Sequence, residues 1–243
     1  MIKFIGASSN PQGVSPEDAR THYELRHPAL IDTVPSFNRY MLLYIQNYAI
    51  DLGIEFSAPA TPFLNCSEIW FESEDSLLEA YEVPDYQLLR EDEKRFGNFE
   101  NLGIALAEDV SIYGGRTRPR FKLIRFLERH PNVEIAQLNK IWQEDYAAAI
   151  LESEAIRGLT QAYIQNRALI GTKIAFPVKF ADGVDEFWFA SPHDIPRFLK
   201  EEQAIAERLD LGRVIDRAGM KQVATESRIL PGYALSAQLL KKF

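Results

Sequence analysis

Cysteine is almost missing from this chain: one residue in 243, Cys66, excludes an internal disulfide framework and any cysteine-built zinc cage. A reducing compartment suits such a composition. No stretch approaches the ~18 apolar residues that signal a membrane-spanning helix. The opening Met1-Ile-Lys-Phe-Ile-Gly lacks a basic region followed by an apolar run, so no leader is expected there. The chain is therefore expected to be cytoplasmic, with no membrane partner. Positive charge is also short: 27 Lys and Arg against 35 Asp and Glu give a net charge of −8. Binding to a phosphate backbone needs the opposite, a basic stripe, so nucleic acid is not expected as a partner. Neither a glycine-rich phosphate loop nor a local Ser/His/Asp motif is found.

What is present is ordinary globular material, 46% hydrophobic and 12% aromatic, enough for one large domain or two of about 120 residues. Self-similarity decides between these. Tyr44-Ile45-Gln46-Asn47 recurs as Tyr163-Ile164-Gln165-Asn166, 119 positions later. The same offset places Lys3 on Lys122, Ile5 on Ile124, Tyr23 on Trp142 and Ile31 on Ile150. Glu68-Ile69-Trp70-Phe71 then matches Glu186-Phe187-Trp188-Phe189 at an offset of 118. A period of this kind marks an internal repeat. Gly114-Gly115-Arg116-Thr117-Arg118-Pro119 has the composition of a linker, so the expected domains are residues 1–117 and 118–243.

Each half reads as the same series of elements. Residues 2–7 and 121–127 are strands by their β-branched and aromatic content. Ser15-Pro16-Glu17-Asp18 supplies an N-cap, a proline at the first helical position and an acid three residues after the cap. Residues 40–48 and 66–72 follow as strands, matched by 161–169 and 186–190. Residues 73–83 and 193–208 read as helices, and 104–113 and 221–230 as closing strands. The order β-α-β-β-α-β, twice, predicts an α+β fold of two tandem ferredoxin-like repeats that pack sheet to sheet as an intramolecular α/β barrel.

Thr21-His22-Tyr23-Glu24-Leu25-Arg26-His27-Pro28-Ala29-Leu30 resembles the first-helix signature of the EthD-like family within the dimeric α/β-barrel superfamily. The likeness is clearest over residues 1–118. In the second half Ile141 stands opposite His22 and Tyr146 opposite His27. The resemblance implies the barrel fold strongly. It implies a reaction only loosely, since that superfamily includes cofactor-free isomerases, cyclases, dehydratases and monooxygenases.

At 100° per residue, Tyr23, Arg26 and His27 share one side of the first helix. His22 and His27 then stand about 140° apart, which excludes an i, i+4 metal pair, and no metal or cofactor is expected. His27 precedes Pro28, where helical geometry tends to end, and an imidazole there can act as acid or base at neutral pH or cap the last carbonyls. His27, His22 and Tyr23 are the candidate catalytic residues. Arg26, Tyr44, Asn47, Trp142, Asp145 and Tyr146 are the candidate substrate-binding residues, Tyr44 and Asn47 lying on opposite faces of one strand. Arg26 and Asp145 would pair if the two helices approached. Trp70 and Trp188 read as core, His130 and His193 as solvated, and Glu91-Asp92-Glu93-Lys94-Arg95 as exposed helical or loop surface.

The leading functional expectation is a cofactor-independent lyase, dehydratase or isomerase acting on a small apolar, aromatic or polyketide-like compound by histidine acid/base chemistry. Two alternatives stand beside it: a cofactor-free or haem-linked monooxygenase, and a non-catalytic barrel that binds a small ligand. The expected partner is a small molecule, and a homodimer is compatible with an internal barrel.

Overall fold

The computed structural model describes residues 1–56, 62–114, 120–176 and 178–230. The expected boundary at 117/118 and linker residues 115–119 lie outside them. Eight strands, β1 (Ile2–Ser9), β2 (Met41–Ala49), β3 (Phe63–Phe71), β4 (Asn98–Gly114), β5 (Phe121–Leu127), β6 (Ala162–Ala168), β7 (Gly183–Phe189) and β8 (Lys221–Ile229), form one closed antiparallel barrel. Its strand order is β1-β3-β2-β8-β5-β7-β6-β4. The barrel was expected, and the ladders β2–β8 and β4–β6 close it by joining its two four-stranded halves. β4 does this by its length: residues 102–107 pair with β1 and residues 107–114 with β6. Closure removes every exposed sheet edge.

Helices cover the outer face. The first group is α1 (Pro16–Thr21), a π-helical turn (His22–Arg26), α2 (His27–Ile31), α3 (Pro35–Asn38), α4 (Glu74–Glu82) and α5 (Tyr86–Glu93). The second is α6 (Ile135–Leu138), a longer π-helical stretch (Asn139–Tyr146), α7 (Ala147–Glu152), α8 (Glu154–Leu159) and α9 (Asp194–Arg208). The start of α1 follows the sequence expectation, Ser15 Oγ accepting from the Asp18 amide at 3.0 Å with Pro16 as the first helical residue. The charged run 91–95, expected as exposed helical or loop surface, overlaps the end of α5, which starts at Tyr86 and buries Leu89.

Alternation along the strands puts one set of side chains outward under the helices and the other into the barrel. At the centre of the inward set Lys3, Glu68, Lys122 and Glu186 are all fully buried. Lys3 pairs with both Glu68 and Glu186, and so does Lys122. Each ammonium also lies over an indole, Lys3 over Trp70 at 4.5 Å and Lys122 over Trp188 at 4.0 Å. Asn47 Nδ2 donates to Glu68 Oε1 at 2.8 Å, and Asn166 Nδ2 to Glu186 Oε1 at 2.8 Å.

Asn47 was expected to bind substrate. Its position on the inward face, bonded to Glu68 and the Cys66 carbonyl, makes it part of this charge lock instead. Breaking such a cluster leaves an uncompensated buried charge. Lys122→Met should therefore lower stability by about 3 to 5 kcal/mol, seen as a lower urea midpoint. Adding Glu68→Gln to it should recover much of the loss by restoring neutrality.

Candidate functional site

The histidine pair is set by the backbone of the first helix. Between α1 and α2 the chain widens into a π turn, with the His27 amide donating to the His22 carbonyl five residues back. Five residues then make close to a full turn, so His22 and His27 share a face rather than standing 140° apart. Pro28 has no N–H to return to the Tyr23 carbonyl, and Gln46 Nε2 donates to that oxygen instead at 2.7 Å. One carboxylate receives both imidazoles: His22 Nε2 lies 2.7 Å from Asp92 Oδ1 and His27 Nδ1 lies 2.8 Å from Asp92 Oδ2. Burial opposes ionisation of Asp92, but the bonds from His27 and His22 outweigh it and hold its carboxyl below the usual range. An ionised Asp92 accepts from the N–H of each ring. In neutral His27 this leaves Nε2 as the free basic nitrogen.

His27 is also one wall of a cavity of about 110 Å³ between β1, β3, β4 and the first group of helices. Aromatic rings form a large share of the lining, including Phe4, Phe37, Tyr81, Phe96 and Phe176. The Phe96 ring lies 4.7 Å from the His27 ring and 4.9 Å from that of Tyr23. Two polar clusters lie on the cavity besides His27 and the Ser8–Asn65 pair. Ser67 Oγ bridges the hydroxyls of Tyr23 at 2.8 Å and Tyr44 at 2.9 Å; three hydroxyls sharing two hydrogen bonds leave one O–H to donate to a ligand. Arg90 Nη1 meets Glu93 Oε2 at 2.5 Å. Burial raises the Tyr44 phenol to about 12 and pushes the Glu93 carboxyl up against the pull of Arg90. Tyr44 is therefore a donor, not an anion, at neutral pH. Among the described residues no group of three or more His, Cys, Asp or Glu is arranged to hold a metal ion.

Residues 11–100 match the EthD domain model. That stretch, an EthD domain, holds the histidine pair and α5. No curated protein sequence matches the chain. Solved structures share its fold over nearly the whole length. An anthrone oxidase-like protein is 11% identical, with 96% of this chain and 94% of that one covered and a TM-score of 0.58. A candidate monooxygenase from Fusobacterium nucleatum subsp. nucleatum is 9% identical (94% and 93% covered, TM-score 0.55). A chlorite dismutase variant from Candidatus Nitrospira defluvii is 8% identical (99% and 94% covered, TM-score 0.53). At such identity the likeness is one of fold, the α+β barrel shared with these enzyme families.

Outside the EthD domain the corresponding space is full. Trp142, which stands 119 positions after Tyr23, packs its indole so closely on Gly183 that a Cβ there would sit 2.3 Å from the ring. Asp185 takes the place of Ser67 118 positions on, accepting from Trp142 Nε1 at 2.8 Å and Tyr163 OH at 2.7 Å. Tyr146, opposite His27, donates to Glu202 at 2.8 Å and accepts from Arg125 at 2.7 Å. Arg125, opposite Gly6, is 1% exposed, and its guanidinium lies 5.0 Å from the Phe187 ring and 5.9 Å from that of Phe198. Trp142 and Tyr146 were expected to bind substrate. Their polar atoms are committed to this network.

Two other expectations are corrected by exposure. Asp145 points outward, its side chain 44% exposed and 3.1 Å from Lys140. Arg26 is exposed and does not line the cavity. The π turn rotates both away from the positions a regular helix would give them, so they form no pair. His22, Tyr23, His27 and Tyr44 do come together, with His27 and Tyr44 on the cavity itself.

Ser67, Arg90, Asp92, Glu93 and Phe96 were missed by sequence reasoning. A signal existed: from the buried Leu89, residues 92, 93 and 96 recur at +3, +4 and +7, one helical face. Net charge masked it.

Gly6 is the position where a side chain would enter the EthD cavity, its nearest neighbour being the Phe4 ring at 3.0 Å from a built Cβ. Gly6→Leu should keep the barrel, with far-UV circular dichroism unchanged, while lowering the affinity for any cavity ligand by at least about tenfold, measured by calorimetry.

A pH dependence also follows. Burial disfavours the Glu202 carboxylate, but Arg125, Arg217 and Tyr146 hold its pKa at about 2, and Asp92 is lowered too. A depressed carboxylate contributes stability above its unfolded value of about 4 and loses it as pH falls through the folded value. Urea midpoints should decline from roughly pH 5 downward, with a shallower slope in Asp92→Asn and Glu202→Gln.

Proposed function

We propose that this chain is a cofactor-independent enzyme that uses His27 as a base on a compact, ring-bearing compound with an acidic C–H or O–H, and that the activated compound is oxygenated by dioxygen. The observation that carries this reading is the His27 ring on an aromatic cavity with its Nδ1 bound to Asp92. Asp92 orients the imidazole and stabilises the imidazolium that forms when Nε2 takes a proton. The hydroxyl left over from Tyr23, Ser67 and Tyr44 donates to the oxygen on which negative charge develops. For an activated methylene, loss of the proton to His27 gives a carbanion whose electrons pass to dioxygen. The resulting hydroperoxide loses water and leaves a carbonyl, so R₂CH₂ and O₂ become R₂CO and H₂O. Structures described as an anthrone oxidase-like protein and a candidate monooxygenase sharing this fold support oxygenation as the outcome.

The same first step without dioxygen is the lyase or isomerase reading, favoured by the hydroxyl donor beside the base, which suits an enolate. Haem does not fit the His27 cavity, whose volume of about 110 Å³ falls below the ~300 Å³ at which sites for drug-sized ligands begin.

Equal contacts at equal offsets support two tandem ferredoxin-like repeats, residues 1–117 and 118–243. Gln46 Nε2 donates to the Tyr23 carbonyl and Gln165 Nε2 to the Trp142 carbonyl, at 2.7 and 2.8 Å. A cytoplasmic small-molecule enzyme agrees with the absence of any helix among the described residues long and apolar enough to cross a membrane.

The test is oxygen uptake with a panel of hydroquinones, naphthalenediols and anthrones, beside solvent-deuterium incorporation without oxygen. Oxygen uptake that His27→Gln lowers by about 10² to 10⁴ in kcat, and Asp92→Asn by a smaller factor, is the expected result. Deuterium exchange without uptake would leave proton transfer and remove oxygenation. Binding with neither would make the domain a carrier.

A further inference from the structure

The EthD cavity is not closed by the EthD domain. Its roof is Phe176, from the connection between β6 and β7, which the other half of the chain supplies. The Phe176 ring stacks on Phe4 at 5.7 Å between centroids and meets Tyr81 edge-on at 6.1 Å, while Phe180 braces it from behind at 5.6 Å. All but Phe180 line the cavity.

The connection is held at three places. At its two ends, the Leu169 amide donates to the Leu106 carbonyl at 2.9 Å and the Ala181 amide to the Ile104 carbonyl at 2.8 Å, both on β4. Between them, Glu74 in the first turn of α4 accepts from the Thr172 hydroxyl and from the amides of Lys173 and Ile174. Ile174 is 6% exposed and packs in the same core as Tyr44, Phe71 and Leu77. A carboxylate on three donors, an anchored isoleucine and two main-chain bonds to β4 make this a fixed strap over the cavity.

We infer that Phe176 is the specificity-determining residue of this cavity: clasped by Glu74, it limits the ligand to a single flat ring and excludes fused ring systems. This rests on the cavity being the ligand site of the proposed function. The volume sets the upper limit: an apolar cavity of ~150 Å³ holds one benzene, so this one, at about 110 Å³, leaves no room for a second fused ring. Removing a phenyl group from the roof opens the space over Phe4, where a second ring would lie. The diverged half then has a role at the site without chemistry of its own.

The experiment compares wild type, Phe176→Ala and Glu74→Gln in three measurements, each variant being checked for native circular dichroism. Anaerobic calorimetry with hydroquinone, a naphthalenediol and anthrone reads ring-size selectivity. Wild type should favour hydroquinone, and Phe176→Ala should shift the ratio toward anthrone by about tenfold or more, with Glu74→Gln shifting it less.

The other two measurements need no ligand. Anilinonaphthalene sulfonate fluorescence should rise in Phe176→Ala, and hydrogen exchange at the Ile174 amide should be slow in wild type and faster in Glu74→Gln. Unchanged selectivity, unchanged dye binding in a folded Phe176→Ala, or an unprotected Ile174 amide in wild type would each overturn the roof. If no ring compound binds wild type while dye and exchange behave as expected, the proposed function fails and the roof stands.

Discussion

Four charges on the barrel axis constrain everything outside it. Lys3 and Glu68 come from one half of the chain and Lys122 and Glu186 from the other, all without solvent exposure. Each lysine contacts both glutamates. Desolvating four ions costs several kcal/mol each, and only close opposite charges with further hydrogen bonds offset that. The cluster therefore tolerates few registers. A slip of one residue in β1 or β5 would turn a lysine out of the barrel and bring an outward side chain in. By fixing which residues face inward, the lock fixes which face the helices: Phe4, Gly6, Tyr44 and Ser67 are outward because Lys3, Ile45 and Glu68 are inward.

On that outer face the decisive local feature is the π turn. The barrel was legible in the sequence because strand content, the Ser15 cap and the repeated Tyr-Ile-Gln-Asn depend on residue type and order. The histidine geometry was not, because a wheel of 100° per residue assumes i→i+4 bonding throughout. With Pro28 lacking an N–H, the Tyr23 carbonyl loses its main-chain partner in the widened turn, and Gln46 replaces it from β2. The repeated Gln is thus scaffold. The inward face of α5 stayed hidden for another reason: Asp92 and Glu93 face inward from a segment whose net charge reads as surface, and only their partners, two histidines and an arginine, reveal them.

Positions shared by the two halves do not all share roles, which limits the simple rule that common residues hold the fold and differing ones carry chemistry. Ile45 and Ile164, Gln46 and Gln165, and Asn47 and Asn166 obey it. Tyr44 and Tyr163 do not. Tyr163 donates to Asp185 and stacks on Phe187 at 4.3 Å, whereas Tyr44 shares a neutral serine with Tyr23 and faces open space. The same triangle of two aromatic polar groups around one β3 or β7 side chain is a filled core with aspartate and a ligand wall with serine.

What separates a cavity from a core at these matched places is one residue on the first strand of each set. Arg125 lies 119 positions after Gly6. Its guanidinium occupies the space under the helices, drawing Asp185, Glu202 and the Tyr146 phenol around it, and that charge then requires Arg217 to balance a second carboxylate. Each partner excludes a ligand. Gly6 demands none of them, so the space over it is left to His27, Ser67 and the aromatic ring set, with Asp92 behind the imidazole. The vacancy in the EthD domain and the dense ion network opposite it are thus two consequences of the same position, occupied by no side chain in one case and by the longest cationic one in the other.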